Sequence, residues 1–305
     1  MRRALELAAN GASFVSPNPM VGAVLVAPDG RIIGEGWHRR YGEWHAEVNC
    51  MNSVAESDRH LVHDSTMYVT LEPCSHYGKT PPCAKLLCDS HVKRVVIGTG
   101  DPNPQVCGRG VEMLRQAGIE VTLNCLQQEC LDINVRFFTA QTKKRPWILL
   151  KYAQLPDGCQ SAVDGGPLAI SSPLTKTLMH KERSMCDAIM VGTNTLLSDN
   201  PGLDNRLWPG NSPRPVIFDS PRIKDPEVRN RLNIFKKEPI LLNPATDLET
   251  NMKILFKDYK ITSLMVEGGK TLVQSFIDIG LYDRIRRETL YSDSRIEAGI
   301  CAKII

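Results

Sequence analysis

Short apolar runs alternate with stretches of helical spacing along the first half of the chain. Apolar residues at helical spacing predict a helix, whereas a short apolar run between turn residues predicts a strand. The turn sequence Pro28-Asp29-Gly30 lies between two such runs and predicts a hairpin. The pattern predicts strands at residues 20–26, 31–33, 66–71 and 92–97 and helices at residues 4–9, 45–54 and 83–88. This alternation indicates a layered sheet with helices packed on it.

The second half repeats the alternation with shorter strands. Uninterrupted runs of four or five apolar residues favour a mainly parallel sheet that is covered on both faces. The strands are predicted at residues 148–151, 188–191, 215–218, 239–242 and 263–266, with a late strand at 285–290. Between the halves, the polar segment 141–146 ends in Pro146, which cannot continue a helix. We therefore predict two α/β domains, residues 1–145 and 146–305.

Composition narrows the classes of protein that fit this pattern. The 305 residues are 42% hydrophobic and 23% charged, which is typical of a globular chain and excludes disorder, collagen and coiled coil. The formal charge is only +3 and each half is nearly balanced, so we expect no nucleic-acid partner. No apolar stretch is long enough to span a bilayer, and the N-terminus lacks a signal-peptide core, so we expect no membrane association and a cytoplasmic protein with reduced cysteines.

Candidate metal chemistry lies in four residues of the first half. His45, Cys74 and Cys83 offer one imidazole and two thiolates, a ligand set that leaves a fourth tetrahedral zinc position for water. Glu47 follows His45 by two residues, where a carboxylate can move a proton from zinc-bound water to a leaving amine. The pattern therefore predicts one catalytic Zn²⁺ per chain with Glu47 as the general acid and base.

A structural zinc site is the alternative interpretation. It requires a fourth protein ligand, and neither Cys50 nor Cys88 carries a ligand pattern. The other eight cysteines are predicted to be small buried apolar side chains.

Four segments of the first half resemble one family. They are SPNPMVGAV at residues 16–24, HAE at 45–47, YVTLEPCSHYGKTPPC at 68–83 and DPNP at 101–104. By these segments the chain is similar to the bifunctional riboflavin-biosynthesis deaminase/reductases, whose first domain has a three-layer α/β/α fold like that of cytidine deaminase. The resemblance implies a small-molecule substrate, a diaminopyrimidinone with a ribosylamino 5′-phosphate, which loses an amino group. It places Asn18 and His76 against the pyrimidine and Lys79 in a loop that closes the pocket.

The resemblance extends through the second half, which implies a dihydrofolate reductase-like α/β domain that uses NADPH to reduce and open the ribose. No G-x-G-x-x-G follows a strand, but Gly268-Gly269 opens a predicted helix at 272–277, where backbone amides can approach a phosphate. The family similarity implies reductase-substrate contacts at Lys151, Ser171, Ser172, Arg183, Leu203, Arg206 and Glu267, and NADPH contacts at Thr195, Asp199, Gly268, Gly269 and Thr271.

Two departures from the family pattern and two rival functions complete the expectations. Leu168-Ala-Ile-Ser171 replaces a Trp-Ile-Thr-Ser segment, so aromatic packing on the nicotinamide is expected to be missing, and the chain stops at Ile305 where relatives usually add further sheet. The rivals are a deaminase of nucleosides or RNA, and a deaminase with a non-catalytic C-terminal module. The eight residues between Cys74 and Cys83 disfavour the nucleic-acid enzyme. The family similarity also implies a homodimer or a higher homo-oligomer.

Overall fold

A computed structural model describes residues 1–77, 81–102, 107–157, 172–291 and 296–302. The chain divides into two compact units, Met1–Thr142 and Lys143–Ile305. The second unit begins slightly before the boundary predicted at residue 145. Lys143 and Arg145 both bond to the carboxylate of Asp283, which ties this short segment to the second unit.

The first unit is a three-layer α/β/α structure around a five-stranded sheet. Its strands are β1 Gly22–Val26, β2 Ile32–Trp37, β3 Thr66–Leu71, β4 Arg94–Thr99 and β5 Glu120–Thr122. Its helices are α1 Arg2–Ala9, α2 Ala46–Asn52, α3 Cys83–Asp89, α4 Arg109–Gln116, α5 Gln127–Ile133 and α6 Val135–Lys143, with a 3-10 helix at Glu56–Asp64. The strand order is β2-β1-β3-β4-β5, in which β1 is antiparallel to both neighbours and the other pairs are parallel.

The two faces of this sheet are covered by different helices. Side chains along a strand point alternately to opposite faces. Leu25 and Val69 pack in the larger core with residues of α2, α3 and α4, whereas Val24 packs with Ala4 and Leu7 of α1 on the other face. The predicted strand 66–71 and the predicted hairpin are confirmed, but β2 continues to Trp37, beyond the predicted end at residue 33.

Close packing of α2 on β2 depends on Gly36. A Cβ atom added there would lie 2.2 Å from the backbone nitrogen of Cys50 and 2.5 Å from the carbonyl oxygen of Ala46. Real side chains do not approach a backbone so closely, so only glycine lets the helix lie against the strand. Because His45 and Glu47 begin α2, this contact also sets how far they stand from the sheet.

The second unit contains a seven-stranded sheet in the order β12-β11-β6-β10-β7-β8-β9. Its strands are β6 Trp147–Gln154, β7 Ala188–Met190, β8 Arg214–Phe218, β9 Ile240–Leu242, β10 Ser263–Glu267, β11 Arg284–Leu290 and β12 Ile296–Ala302. Its helices are α7 Pro173–Ser184, α8 Thr193–Asp199, α9 Pro226–Arg231, α10 Leu248–Tyr259 and α11 Lys270–Asp278, with 3-10 helices at Pro221–Ile223 and Asn233–Lys237. All pairs are parallel except β11 with β12, which agrees with the predicted mainly parallel sheet.

A parallel sheet brings the carboxyl ends of its central strands to one edge. The core strands are fully apolar up to that edge, and Ile148, Leu150 and Val266 are completely buried. The chain turns polar at Lys151, which lies within β6, and at Glu267, which is the last residue of β10. These two residues are paired in the register of the adjacent strands, so the topology alone brings them together. Within the described parts of the chain, no helix is both long and apolar enough to cross a membrane.

Candidate active sites

The three predicted zinc ligands converge at the carboxyl end of β3. The Nδ1 atom of His45 lies 3.6 Å from the sulfur of Cys74 and 3.4 Å from that of Cys83, and the three ligand atoms all lie within 4.8 Å of one another. Tetrahedral zinc with ordinary Zn–N and Zn–S bonds separates its nitrogen and sulfur ligands by about 3.6 Å. The observed separations therefore fit one zinc ion, and the His-Cys-Cys donor set is one that zinc prefers.

Local structure holds each ligand in place. His45 is the N-cap of α2, Cys74 follows β3, and Cys83 begins α3 directly after Pro82. The backbone N–H of Cys83 also donates to the sulfur of Cys74 across 3.3 Å. A hydrogen bond from Cys83 lowers the pKa of the Cys74 thiol, whereas the same bond together with burial raises the pKa of Cys83. Cys74 is therefore the more acidic thiol of the pair, which favours the thiolate form that a metal ligand requires.

Glu47 lies in the first turn of α2 and is only 3% exposed. Burial, reinforced by the nearby Cys74 thiolate, raises the pKa of its carboxyl group to about 7. A general acid and base acts best when its pKa is close to the working pH. The environment of Glu47 therefore suits proton transfer in both directions beside the three ligands.

A small cavity of about 310 Å³ opens beside Glu47. It is lined by residues from both ends of the first unit: Asn18, Pro19, Val21, His38, His45, Glu47, Leu71, Glu72, Cys74, His76, Asp101, Phe137 and Gln141. The two pyrimidine contacts expected from the family similarity, Asn18 and His76, thus lie on the same cavity as Glu47. The third, Lys79, lies outside the described residues. We call this space the inner cavity.

His38 is a polar residue of the inner cavity that the sequence pattern did not single out. Its Nδ1 lies 3.0 Å from the carbonyl oxygen of Trp44 and its Nε2 lies 3.3 Å from the amide nitrogen of Asn18. A carbonyl only accepts, so Nδ1 carries the proton and Nε2 accepts from Asn18. Burial also lowers the pKa of His38, which keeps the ring neutral. The amide oxygen of Asn18 is thereby left to accept from a ligand in the cavity.

Glu72 is a second residue that the sequence pattern missed. It is 5% exposed, follows β3, and lies two residues before Cys74. Its carboxylate accepts backbone N–H bonds from Asp101, Gly108, Gly110 and Val111 at 3.1–3.4 Å. Since the last three belong to the start of α4, Glu72 joins the segment that carries Cys74 to that helix. Its place in YVTLEPC was visible, but these partners are distant in sequence.

In the second unit, the predicted substrate residues Lys151, Arg183 and Glu267 form one cluster. Arg183 donates to Glu267 from Nε at 2.9 Å and from Nη2 at 2.6 Å, and Lys151 Nζ lies 3.8 Å from the same carboxylate. Burial alone would raise the pKa of Glu267, but the charges of Arg183 and Lys151 hold it below its usual value. Glu288, fully buried and not foreseen, lies 4.0 Å from Lys151.

The predicted NADPH residues lie partly together. Gly268 and Gly269 have φ of 87° and 78°, a turn that favours glycine, and they lead into α11. A Cβ atom at Gly269 would be 3.1 Å from the hydroxyl of Thr195, so this turn lies against the first turn of α8. Asp199 is four residues after Thr195 and therefore on the same face of α8. Thr271 lies in the first turn of α11.

The remaining predicted residues of the second unit that the structure describes are Ser172, Leu203 and Arg206, and each is positioned by local contacts. Ser172 is the N-cap of α7 and accepts from Thr175. Leu203 is buried at 3% exposure, and Arg206 is exposed, with its guanidinium bonded to Asp204 at 2.5 Å. Arg183 also donates to the carbonyl oxygen of Asp204, so Arg183 and Arg206 are linked through one residue. Ser171 and the departure at residues 168–171 lie outside the described residues.

Comparison with known proteins matches both units. Residues 1–99 match the cytidine and deoxycytidylate deaminase zinc-binding region, and residues 146–287 match the RibD C-terminal domain. The chain is 38% identical to the riboflavin biosynthesis protein RibD of Aquifex aeolicus, over 93% of this chain and 84% of that protein. It is 33% identical to RibD of Escherichia coli, over 99% and 89%. A crystal structure from Thermotoga maritima, a diaminohydroxyphosphoribosylaminopyrimidine deaminase/5-amino-6-(5-phosphoribosylamino)uracil reductase, superposes with a TM-score of 0.86 at 38% identity, over 95% and 85%.

Proposed function

Since the chain belongs to the RibD family of riboflavin biosynthesis proteins, we propose that its first unit deaminates a diaminopyrimidinone carrying a ribosylamino 5′-phosphate. We further propose that its second unit reduces the ribose of the deaminated product to a ribityl chain. The chain is a zinc-dependent deaminase and an NADPH-dependent reductase, and family membership does not favour the nucleoside or RNA deaminase or the non-catalytic module.

One observation carries the deaminase proposal, the convergence of His45, Cys74 and Cys83 beside the buried Glu47. These three side chains would hold Zn²⁺, and their separations fit its tetrahedral bonds. When bound, zinc makes water a strong nucleophile at neutral pH by lowering the pKa of that water.

The residues of the inner cavity carry the rest of the deamination. Glu47 accepts a proton from the attacking water on its carboxylate and gives it to the amino nitrogen as that group leaves as ammonia. The side-chain oxygen of Asn18, whose amide group is oriented by His38, accepts a hydrogen bond from the pyrimidine. This contact positions the ring beside Glu47. The Glu47 carboxylate is only 3% exposed and is therefore shielded from bulk water, which strengthens its contact with the substrate.

The charged cluster where β10 ends beside β6 supports the reductase assignment. NADPH, when bound, would supply a hydride to the anomeric carbon of the ribose. Lys151 Nζ, held between Glu267 and Glu288, donates a proton to the ring oxygen as the carbon–oxygen bond breaks. The positive φ turn at Gly268-Gly269 leaves backbone amides at the start of α11 for the cofactor phosphates.

Ammonia release tests the deaminase proposal. Replacing Glu47 with Gln should leave zinc bound while turnover falls by about 10²-fold or more, because the proton carrier is gone. Replacing His45 or Cys83 with Ala should remove zinc as well as turnover. Glu56→Gln is a matched control, because that carboxylate is 88% exposed and distant from the ligands in sequence. Full turnover in Glu47→Gln, or full zinc content in Cys83→Ala, would contradict these roles.

NADPH absorbance tests the reductase proposal. With the deaminated intermediate as substrate, the protein should oxidise NADPH, and Lys151→Met should abolish this oxidation because its uncharged thioether cannot donate the proton. Absence of NADPH oxidation at any concentration of intermediate would contradict a catalytic second unit.

Compartment and assembly belong to the same proposal. Cys74 and Cys83 act as ligands only when reduced, and the eight cysteines whose side chains the structure describes are free thiols, which supports a cytoplasmic location. We also propose a homodimer or higher homo-oligomer, to be measured by sedimentation equilibrium, where a monomer at micromolar concentration would contradict it.

A further inference from the structure

A second, larger cavity adjoins the inner one. Its volume is about 710 Å³, and it shares Asn18, His45, Cys74 and His76 with the inner cavity. Beyond those four residues it is lined by Arg39, Tyr41, Gly42, Glu43, Trp44, Asn49, Asn52, Ser53 and Pro81. We call it the outer cavity. It begins at the zinc ligands and therefore receives whatever extends from a ring bound beside Glu47.

The outer cavity follows α2 away from the ligands. His45 is the N-cap of this helix and Asn52 is its last residue, so the cavity extends over about 10 Å at 1.5 Å per residue. A pyrimidine needs only the inner cavity, whose volume is at the lower end of the range for small-molecule sites. The additional length is suited to a polar arm, since amide, hydroxyl and guanidinium groups line it.

Arg39 is the arginine of this lining. Its guanidinium carbon lies 4.9 Å from the centroid of the Trp37 ring, a cation–π contact that holds the side chain in place. Among the described residues Arg39 forms no ion pair, whereas Arg3 and Arg31 each bond to a carboxylate. The side-chain amide of Asn49, which also lines the cavity, donates to the backbone carbonyl oxygen of Trp37 at 2.8 Å and so joins α2 to the end of β2. Arg39 is thus an exposed cation that lies against the Trp37 ring and has no acidic partner among the described residues.

The other charges of the cavity favour one location for an anionic group. Glu43 is the carboxylate of the lining outside the inner cavity, and it repels a phosphate. Arg39 carries a rigid fork of donors that matches phosphate oxygens. The amide of Asn52 and the aromatic face of Trp44, which is 56% exposed, line the same cavity.

We propose that the outer cavity binds the phosphopentose arm of the deaminase substrate and that Arg39 makes the enzyme selective for phosphorylated over unphosphorylated substrates. This inference rests on the proposed deaminase function. It assigns to Arg39 a contact with the substrate phosphate, whereas ring binding and proton transfer remain with Asn18 and Glu47.

Deamination of two substrates by three proteins tests it. Ammonia release is measured with the ribosylamino-pyrimidinone 5′-phosphate and with its phosphatase-treated riboside, for the wild-type protein, Arg39→Ala and Arg40→Ala. Arg40 is the matched control, because it is the neighbouring arginine, is exposed as Arg39 is, and lines neither cavity. For Arg39→Ala we expect KM for the phosphorylated substrate to rise about 10- to 100-fold, the size of one charge-assisted contact, with kcat little changed.

The riboside separates a phosphate contact from general damage to the site. Its kcat/KM should be the same in all three proteins, and Arg39→Lys should recover part of the preference for phosphate. Glu43→Gln should act in the opposite direction and lower KM for the phosphorylated substrate, because it removes a repulsive charge.

Any of three results would overturn the inference. They are an unchanged KM for the phosphorylated substrate in Arg39→Ala, an equal loss of activity on both substrates in Arg39→Ala, and an equal loss of activity in Arg40→Ala. If the wild-type protein released ammonia from neither substrate, the proposed deaminase function would fail instead, so the two failures are distinguishable.

Discussion

Replacement of Glu72 by Gln tests how the ligand-bearing segment is anchored. The two carboxylate oxygens accept four backbone N–H groups: Oε1 from Gly110 and Val111, and Oε2 from Gly108 and Asp101. In the variant one oxygen remains an acceptor, while the new NH₂ group faces two donors. Two hydrogen bonds to a charged group are lost, and two buried N–H groups are left without an acceptor.

The size of the effect follows from these contacts. Hydrogen bonds to a charged group contribute about 1.5–3 kcal/mol each, so losing two costs about 3–6 kcal/mol. The Glu72 carboxylate also lies at the N-terminus of α4, where the helix dipole stabilises a negative charge. Loss of that charge in Glu72→Gln therefore adds to the destabilisation. A domain is usually stable by only about 5–15 kcal/mol, so Glu72→Gln should destabilise the first unit severely.

Amide hydrogen exchange of the zinc-loaded protein is the assay. Protection of the Gly108, Gly110 and Val111 amides should fall in Glu72→Gln, and chelators should remove zinc faster because Cys74 follows two residues later. Glu120→Gln is the control, since its side chain is 64% exposed and bonds to Arg94 at the surface, where such pairs contribute about 0–1 kcal/mol. If Glu72→Gln lowered the free energy of unfolding by less than about 1 kcal/mol and left the protection of these amides unchanged, the reasoning would be refuted.

Three further predictions follow from the packing and charges of the two units. Gly36→Ala should force α2 away from β2, because the new Cβ would lie 2.2 Å from the backbone nitrogen of Cys50. This displacement of α2 should reduce the zinc content of the protein. Normal zinc content measured by atomic absorption would contradict this prediction. Asp283→Asn should destabilise the second unit by about 3–5 kcal/mol in urea unfolding, because it leaves Arg145 buried without its bidentate partner. Burial would raise the pKa of Asp283, but Arg145 and the other hydrogen bonds to this carboxylate hold the pKa below 3.8. The stabilisation of the folded state by Asp283 is therefore complete above the pKa that this group has in the unfolded chain. It is lost as the pH falls through the lower pKa of the folded state. The acid limb of the stability profile should be shallower in Asp283→Asn, and an identical limb would show that this carboxylate is not responsible. Arg183→Ala removes two hydrogen bonds to the Glu267 carboxylate and should lower kcat/KM for NADPH-dependent reduction by about 10²-fold or more, whereas ammonia release should be retained. Equal loss of both activities would contradict the assignment of reduction to the second unit and deamination to the first.

Local sequence signals predicted much of the fold. The run at residues 66–71 has strand length and turn residues around it, and it is the strand β3 without adjustment. Strands four or five residues long and free of polar alternation predicted a parallel sheet, because both faces of such a sheet are covered. The end of β2 was placed too early because Gly34 and Gly36 disfavour a strand by local propensity, whereas close packing of α2 requires both glycines.

Some residues of the first site could be recognised from the sequence and others could not. His45, Cys74 and Cys83 were recognisable because metal ligands have characteristic types and spacing, and the fold brings them together. His38 and Glu72 were not, since their partners Asn18 and Gly110 are 20 and 38 residues away. Such contacts depend on the order of strands in the sheet, which no local pattern encodes.

The second site shows the same limit in its charges. Lys151 lies within β6 and Glu267 ends β10. Both were predicted to border the ribose, but their pairing follows from the register of β6 with β10. Glu288 lies in the arginine-rich stretch 285–290, which was predicted as a late strand but not as part of a site. It is fully buried because β11 lies between β6 and β12, in the interior of the sheet.

X-ray absorption at the zinc edge of the purified protein tests the central claim most directly. One zinc per chain should have two sulfur neighbours at about 2.3 Å and nitrogen or oxygen neighbours at about 2.0–2.1 Å, and Cys83→Ala should lose a sulfur neighbour or the ion itself. A zinc shell with four sulfurs or with none, or a shell unchanged in Cys83→Ala, would contradict the proposed catalytic centre.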